Sequence, residues 1–83
     1  MRLDIYLKVS RLIKRRTIAN EACTQGRVLL NGRAAKPAAD VKAGDTLSLR
    51  LGNRALHVRV LSLPEHANKA NAQELYAVLE DEV

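Results

Sequence analysis

Phenylalanine and tryptophan are missing from this chain, and its two tyrosines, Tyr6 and Tyr76, each sit inside an apolar pattern. Readers of single-stranded nucleic acid normally stack bases on exposed aromatic rings, so the composition argues against an RRM-like or OB-like surface. The single cysteine, Cys23, can form neither an internal disulfide nor a Cys/His metal set, which fits a reducing, cytoplasmic compartment. No apolar run approaches the roughly 18 residues of a membrane span, and no signal-peptide pattern opens the chain. The glycines Gly26, Gly32, Gly44 and Gly52 are dispersed, each where a turn or helix cap is needed, so no phosphate-cradling glycine loop is present. Chemistry is thin as well. His57 falls on the outward face of an expected strand, His66 in an expected loop, and Ser10, Ser48 and Ser62 have no evident partners. The expectation is a non-catalytic binder with no cofactor, metal or small-molecule substrate.

Positive charge is plentiful, and it is unevenly placed. Residues 1–42 hold ten Lys/Arg against three acids, a net +7, whereas residues 43–83 hold four against six, a net −2. A basic half joined to a mildly acidic half points to a polyanionic partner at one end. With 83 residues, 47% of them hydrophobic, the chain is one globular domain with a small core.

The densest charge lies in Arg11-Leu12-Ile13-Lys14-Arg15-Arg16, where Leu12 and Ile13 can anchor to a core and the four cations must face outward. Like charges this close repel one another, so the sequence calls for a counter-charge from outside. Before this joint, residues 2–10 place Leu3, Tyr6, Leu7 and Ser10 at helical spacing, with Asp4 in the first turn. After it, residues 17–25 predict a second helix, capped by Thr17 or by a residue one or two earlier, with Ile18, Ala19, Ala22 and Cys23 as its buried stripe and Gly26 closing it. The outer positions of that helix, Asn20, Glu21, Thr24 and Gln25, include an acid and no base, which suits a major-groove recognition helix poorly.

The period then changes from 3.6 to 2. Residues 27–30 and 33–36 predict strands around Asn31-Gly32, a pair suited to a type I′ turn, and Pro37 ends the pairing. Residues 38–45 read as a loop. A second hairpin follows, with Leu47, Leu49 and Leu51, then Leu56, Val58 and Val60, facing inward, and Pro64 ends it. Residues 65–71 read as loose and polar. Residues 72–79 fit a short helix or an extended segment, with Leu75, Val78 and Leu79 docking on the core ahead of a solvated acidic end, Glu80-Asp81-Glu82. The fold expected is α+β: two short helices packed on a small, mainly antiparallel sheet. Domain organisation follows, with residues 1–63 as the binding domain and 64–83 as an extension packed on the same core.

Forks of arginine suit phosphates and the shape of folded RNA. The candidate RNA-binding residues are Arg2, Lys8, Arg11, Lys14, Arg15, Arg16, Arg27, Arg33 and Lys36, with Gly26, Asn31 and Gly32 as structural turn positions. Lys42 and Arg50 read as a solvated face.

The spaced positions Arg2-Leu3-Asp4-x-x-Leu7, the basic joint, Arg16-x-x-Ala19, Gly26-x-Val28-x-x-Asn31-Gly32, Lys36-Pro37 and Val41-x-x-Gly44-Asp45 resemble the RNA-binding domain named after ribosomal protein S-four. The resemblance covers residues 1–63 and implies that the two helices form an L-shaped RNA-binding motif beside the sheet. Many members of that family place Ser or Thr directly before the position of Arg16; here that residue is Arg15. The opening Met1-Arg2-Leu3-Asp4 resembles the stand-alone members that act in bacterial ribosome-associated quality control, with heat-shock protein fifteen as a relative. The resemblance implies binding to large ribosomal subunits that carry stalled peptidyl-tRNA. It implies contacts to ribosomal RNA and tRNA, and support of C-terminal alanine tailing by an RqcH-type factor. Two alternatives are an RNA-targeting module of an RNA-modifying enzyme and a general ribosome-assembly or heat-shock binder of ribosomal RNA. The acidic end could also serve as a protein-interaction site.

Overall fold

The computed structural model describes residues 1–63 and 75–82. Helix α1 runs Leu3–Val9 and α2 runs Arg16–Thr24. The strands are β1 (Val28–Leu30), β2 (Arg33–Ala34), β3 (Thr46–Leu51), β4 (Arg54–Val60) and β5 (Tyr76–Glu82). They form one antiparallel sheet in the order β2-β1-β3-β4-β5. The two helices and the sheet bear out the α+β expectation.

Period-2 alternation sets the inward face of the sheet. Leu47 lies opposite Val58, Leu49 opposite Leu56, and Val28 opposite Leu49 on the other side. These side chains are buried and join Leu3, Tyr6 and Leu7 of α1 and Ala19, Ala22 and Cys23 of α2 in a single core. The small residues on α2 let the two helices pack closely.

Asn31 and Gly32 both take positive φ, at 53° and 84°, as a type I′ turn requires. Asn31 also stitches this hairpin to the next. Its Oδ1 accepts the Thr46 N–H at 2.9 Å, and its Nδ2 donates to Asp45 Oδ1 at 3.1 Å. At the end of α2, Gly26 sits at φ 75°. Its N–H donates to Cys23 O, and the Arg27 N–H donates to Ala22 O. That is a Schellman closure, as expected for a glycine just past a helix.

Four expectations need correction. First, α2 begins at Arg16, one residue before the expected start, with Arg15, an earlier cap position that the sequence left open, as its N-cap and no side chain capping it. An arginine in place of Ser or Thr offers no acceptor, so the first amides are left to the backbone. Second, Ile18 is 47% exposed. The buried stripe centres on Ala19, and at 100° per residue Ile18 falls on the flank of so narrow a face. Third, the segment after Leu75 is a strand, paired with β4 from Val60↔Tyr76 to Ala55↔Glu82. Leu75 is buried as expected. Val78 and Leu79 are 54% and 53% exposed instead of docked on the core. The register shifts between His57 and Val58, which leaves Leu79 without a partner opposite, and β5 is the edge of the sheet. Fourth, Ser48 and Ser10 do have partners: Ser48 Oγ lies 2.8 Å from Nδ1 of His57, facing it across β3 and β4, and the buried Ser10 hydroxyl donates to Leu7 O at 3.3 Å. The expectations for Pro64, His66, residues 65–71 and the start of segment 72–79 lie outside the described residues, as do the side chains of Glu80, Asp81 and Glu82.

Candidate nucleic-acid interface

The corner between the helices is built on a buried carboxylate. Asp4 has no exposed surface, yet it is the meeting point of two arginines. Arg2 donates from Nε to Oδ1 at 3.1 Å and from Nη2 to Oδ2 at 3.2 Å. Arg16 donates from Nε to the same Oδ2 at 3.2 Å, and the Ile5 N–H donates to Oδ1 at 2.8 Å. Burial by itself would raise the pKa of Asp4. The hydrogen bonds from Arg2 and Arg16 outweigh it, and the group sits below its ordinary value. Arg2 and Arg16 keep 46% and 51% of their side-chain surface in solvent. Each is anchored at its inner edge and presented at its outer one.

The chain around the corner explains why this works. Arg2 caps α1 in an extended conformation and bridges to Asp40, while the Leu3 and Asp4 amides donate to the carbonyls of Ala39 and Pro37. The Met1 amine donates to Asp40 Oδ1 at 2.9 Å. The loop 37–41 therefore holds the start of α1 in place. At the other end of α1, Arg11 adopts φ 65°, in the left-handed region, and its N–H donates to Lys8 O. This reverses the chain tightly. Ile13 is buried, Leu12 is half-buried, and Arg11, Lys14, Arg15 and Arg16 are all exposed.

The other candidate residues are exposed too, but they are not all in one place. Lys8 sits in the last turn of α1. Arg33 stands on β2, and Lys36 flanks a groove that Arg2 also lines. Arg27 follows the far end of α2, and a nine-residue helix spans about 13.5 Å, so it lies well away from Arg16. Its neighbour there is Arg50, whose N–H donates to the Arg27 carbonyl; the two side chains line common clefts. Arg50 was read as a solvated face. Its outward place in the alternating pattern of β3 carried the signal, but its pairing with Arg27 depends on strand register. The role of Asp4 as a hub was missed for a related reason: a carboxylate in a first helical turn has a sufficient local explanation.

Charge of this kind, fixed at two arginines and dense along one corner, can neutralise several phosphates at once. Cys23 offers no competing chemistry. Burial, with a further push from the Asp4 carboxylate, raises its thiol to about 11.

Two helices, a sheet and a cationic corner between them define an S4 domain, and the S4 domain model matches residues 1–47. The chain is 50% identical to the RQC P-site tRNA stabilizing factor of Listeria innocua over 82 residues, covering 99% of this chain and 89% of that protein. It is 49% identical to the factor of the same name from Bacillus subtilis, covering 99% and 95%. The chain belongs to the S4-domain family of RQC P-site tRNA stabilizing factors. It also resembles, at 34% identity, a heat shock protein 15 homolog of Haemophilus influenzae, of which it spans 64%. In three dimensions it superposes on the trimeric structure of Vibrio cholerae heat shock protein 15 with a TM-score of 0.83 at 30% identity, covering 94% of this chain and 80% of that one.

Proposed function

We propose that this protein is a non-catalytic RNA-binding factor of ribosome-associated quality control. It binds ribosomal RNA and the peptidyl-tRNA of stalled large subunits, and it supports C-terminal alanine tailing by an RqcH-type factor on the same ribosome. The observation that carries the reading is the corner where Arg2 and Arg16 share Asp4 beside the exposed cations Arg11, Lys14 and Arg15. Lys8, Arg33 and Lys36 flank it, and Arg27, with Arg50, offers a second cationic contact at the other end of α2. Relatives at about half identity are named for stabilising a P-site tRNA, and tRNA is a ligand whose backbone such a corner suits.

Co-sedimentation with purified large subunits, with and without peptidyl-tRNA, across a salt series tests this. Binding should fall steeply as salt rises, and Arg15→Ala/Arg16→Ala should weaken it and flatten the salt dependence. Unchanged binding by that variant sinks the proposal. For the tailing role, cells without the protein should lose alanine tails; normal tailing would remove that part and leave RNA binding in place.

A further inference from the structure

Next to the cationic corner lies a groove of about 580 Å³, between the outer side of α2 and the segment that follows β1. It is an open groove, with room for a planar ring and one side left to solvent. Its walls are unlike the corner. Cys23, Ala35 and Pro37 give it an apolar lining, Asn20 of α2 is among its polar lining residues, and Arg2 and Lys36 supply its cations. Cys23 is 4% exposed and carries no charge near neutral pH, with its thiol raised to about 11, so that wall stays apolar.

We infer that this groove receives a single unstacked RNA base, whose flanking phosphates lie on the corner formed by Arg2 and Arg16. The inference rests on the RNA-binding reading above and deepens it. Three features select a base as the occupant. The groove is apolar enough for a ring face, and Asn20 on its wall carries a carboxamide, a group with both a donor and an acceptor for a base edge. Its cations are shared with the corner, so a nucleotide on the corner brings its base to the groove. Arg2, which lines it, is fixed by two hydrogen bonds to Asp4, and a guanidinium held in this way offers a flat face for stacking. This answers the lack of Phe and Trp: the one base that is read needs no aromatic platform. The extruded base of a loop or bulge fits such a site, and a base inside a duplex does not.

The test has two arms. In the first, labelled protein is titrated with ribonucleoside monophosphates, ribose 5-phosphate and inorganic phosphate, and its amide resonances are followed. Nucleotides should shift Asn20, Thr24, Ala35 and Ala38 by clearly more than the two base-free probes, whose phosphates reach only Arg2 and Lys36. Equal shifts from ribose 5-phosphate would overturn the inference. In the second arm, Ala34→Leu and Ala38→Leu each add bulk at the exposed lip of the groove and remove no charge. Each should bind large subunits about tenfold more weakly at fixed salt, with the salt slope unchanged. Wild-type affinity for both, alongside weakened Arg15→Ala/Arg16→Ala, overturns the groove and leaves the function standing. Full binding by all three variants removes the function, and the nucleotide titration then decides the groove by itself.

Discussion

Arg16 reaches across the joint between the helices to Asp4, twelve positions earlier, with Nε 3.2 Å from Oδ2. The contact joins the first residue of α2 to the first turn of α1, and so it sets the angle of the corner. A simple charge count would mark Asp4 as a liability on a surface meant for polyanions. Its position makes it the part that aims two of the cations.

Asp4→Asn should therefore weaken RNA binding several-fold, although it makes the protein more positive by one charge. A filter-binding titration at two salt concentrations would show it; tighter binding would mean that charge outweighs positioning. The same substitution should cost about 1–2 kcal/mol of stability, since both arginines can return to water. Asp4 has a depressed pKa in the folded protein, so its contribution is present above about 3.8 and is lost as pH falls through the folded value. Acid unfolding of Asp4→Asn should be correspondingly shallower below that pH.

Arg11 separates stability from binding. A non-glycine residue at φ 65° costs on the order of 1 kcal/mol, and glycine relieves it. Arg11→Gly should raise the denaturation midpoint slightly and yet weaken RNA binding, with the salt slope reduced by about one. If both properties fall together, Arg11 holds the joint by contacts of its side chain.

At the alkaline end two buried groups act in the same direction. Burial, aided by Tyr76, raises Tyr6 to about 12, and Cys23 is raised from 9.0 to about 11. Both prefer the neutral form in the folded state. Their stabilisation is complete below the unfolded values and is lost as pH rises through the folded ones. Thermal midpoints measured between pH 8 and pH 12 should fall, and Tyr6→Phe/Cys23→Ala should flatten the fall. At neutral pH Tyr6→Phe should cost only about 0.5–1.5 kcal/mol, because the Leu75 carbonyl it bonds also accepts the Leu61 and Ser62 amides.

Asn31→Ala should cost about 1–2 kcal/mol, since it removes the bonds to Asp45 and Thr46 and places alanine at φ 53°. Asn31→Asp keeps the acceptor for the Thr46 N–H but sets a second carboxylate against Asp45. Equilibrium urea unfolding should rank it between the wild type and Asn31→Ala.

Wherever one local rule decided the matter, the sequence was legible. Gly26 and the Asn31-Gly32 pair need positive φ, and the structure has it. Leu47, Leu49, Leu56, Val58 and Val60 alternate, and all are buried. The exposed cations of the joint followed from Leu12 and Ile13 being the residues able to anchor it. What stayed hidden depended on partners distant in sequence. Ile18 and Val78 look like core residues, and only the width of the packed face and the edge of the sheet leave them in solvent. Ser48 gained its partner from a register that no short window contains. Of the candidate interface, the individual cations were legible; their division into a corner at one end of α2 and an Arg27–Arg50 pair at the other was not.

The hydroxyl of Tyr6 bonds to the carbonyl of Leu75, 69 residues away. The same carbonyl accepts the Leu61 and Ser62 amides, so the residue that leads into β5 is tied both to α1 and to the chain that leaves β4. None of these bonds can form before Leu75 has been synthesised. The cations of the first half are made early, but the scaffold beneath them is finished last. A chain truncated before Leu75 would carry the full positive charge of the corner without its completed support, so its affinity for RNA should be less selective for shape. Binding of such a truncation to a structured RNA and to an unstructured one of equal length would measure the difference.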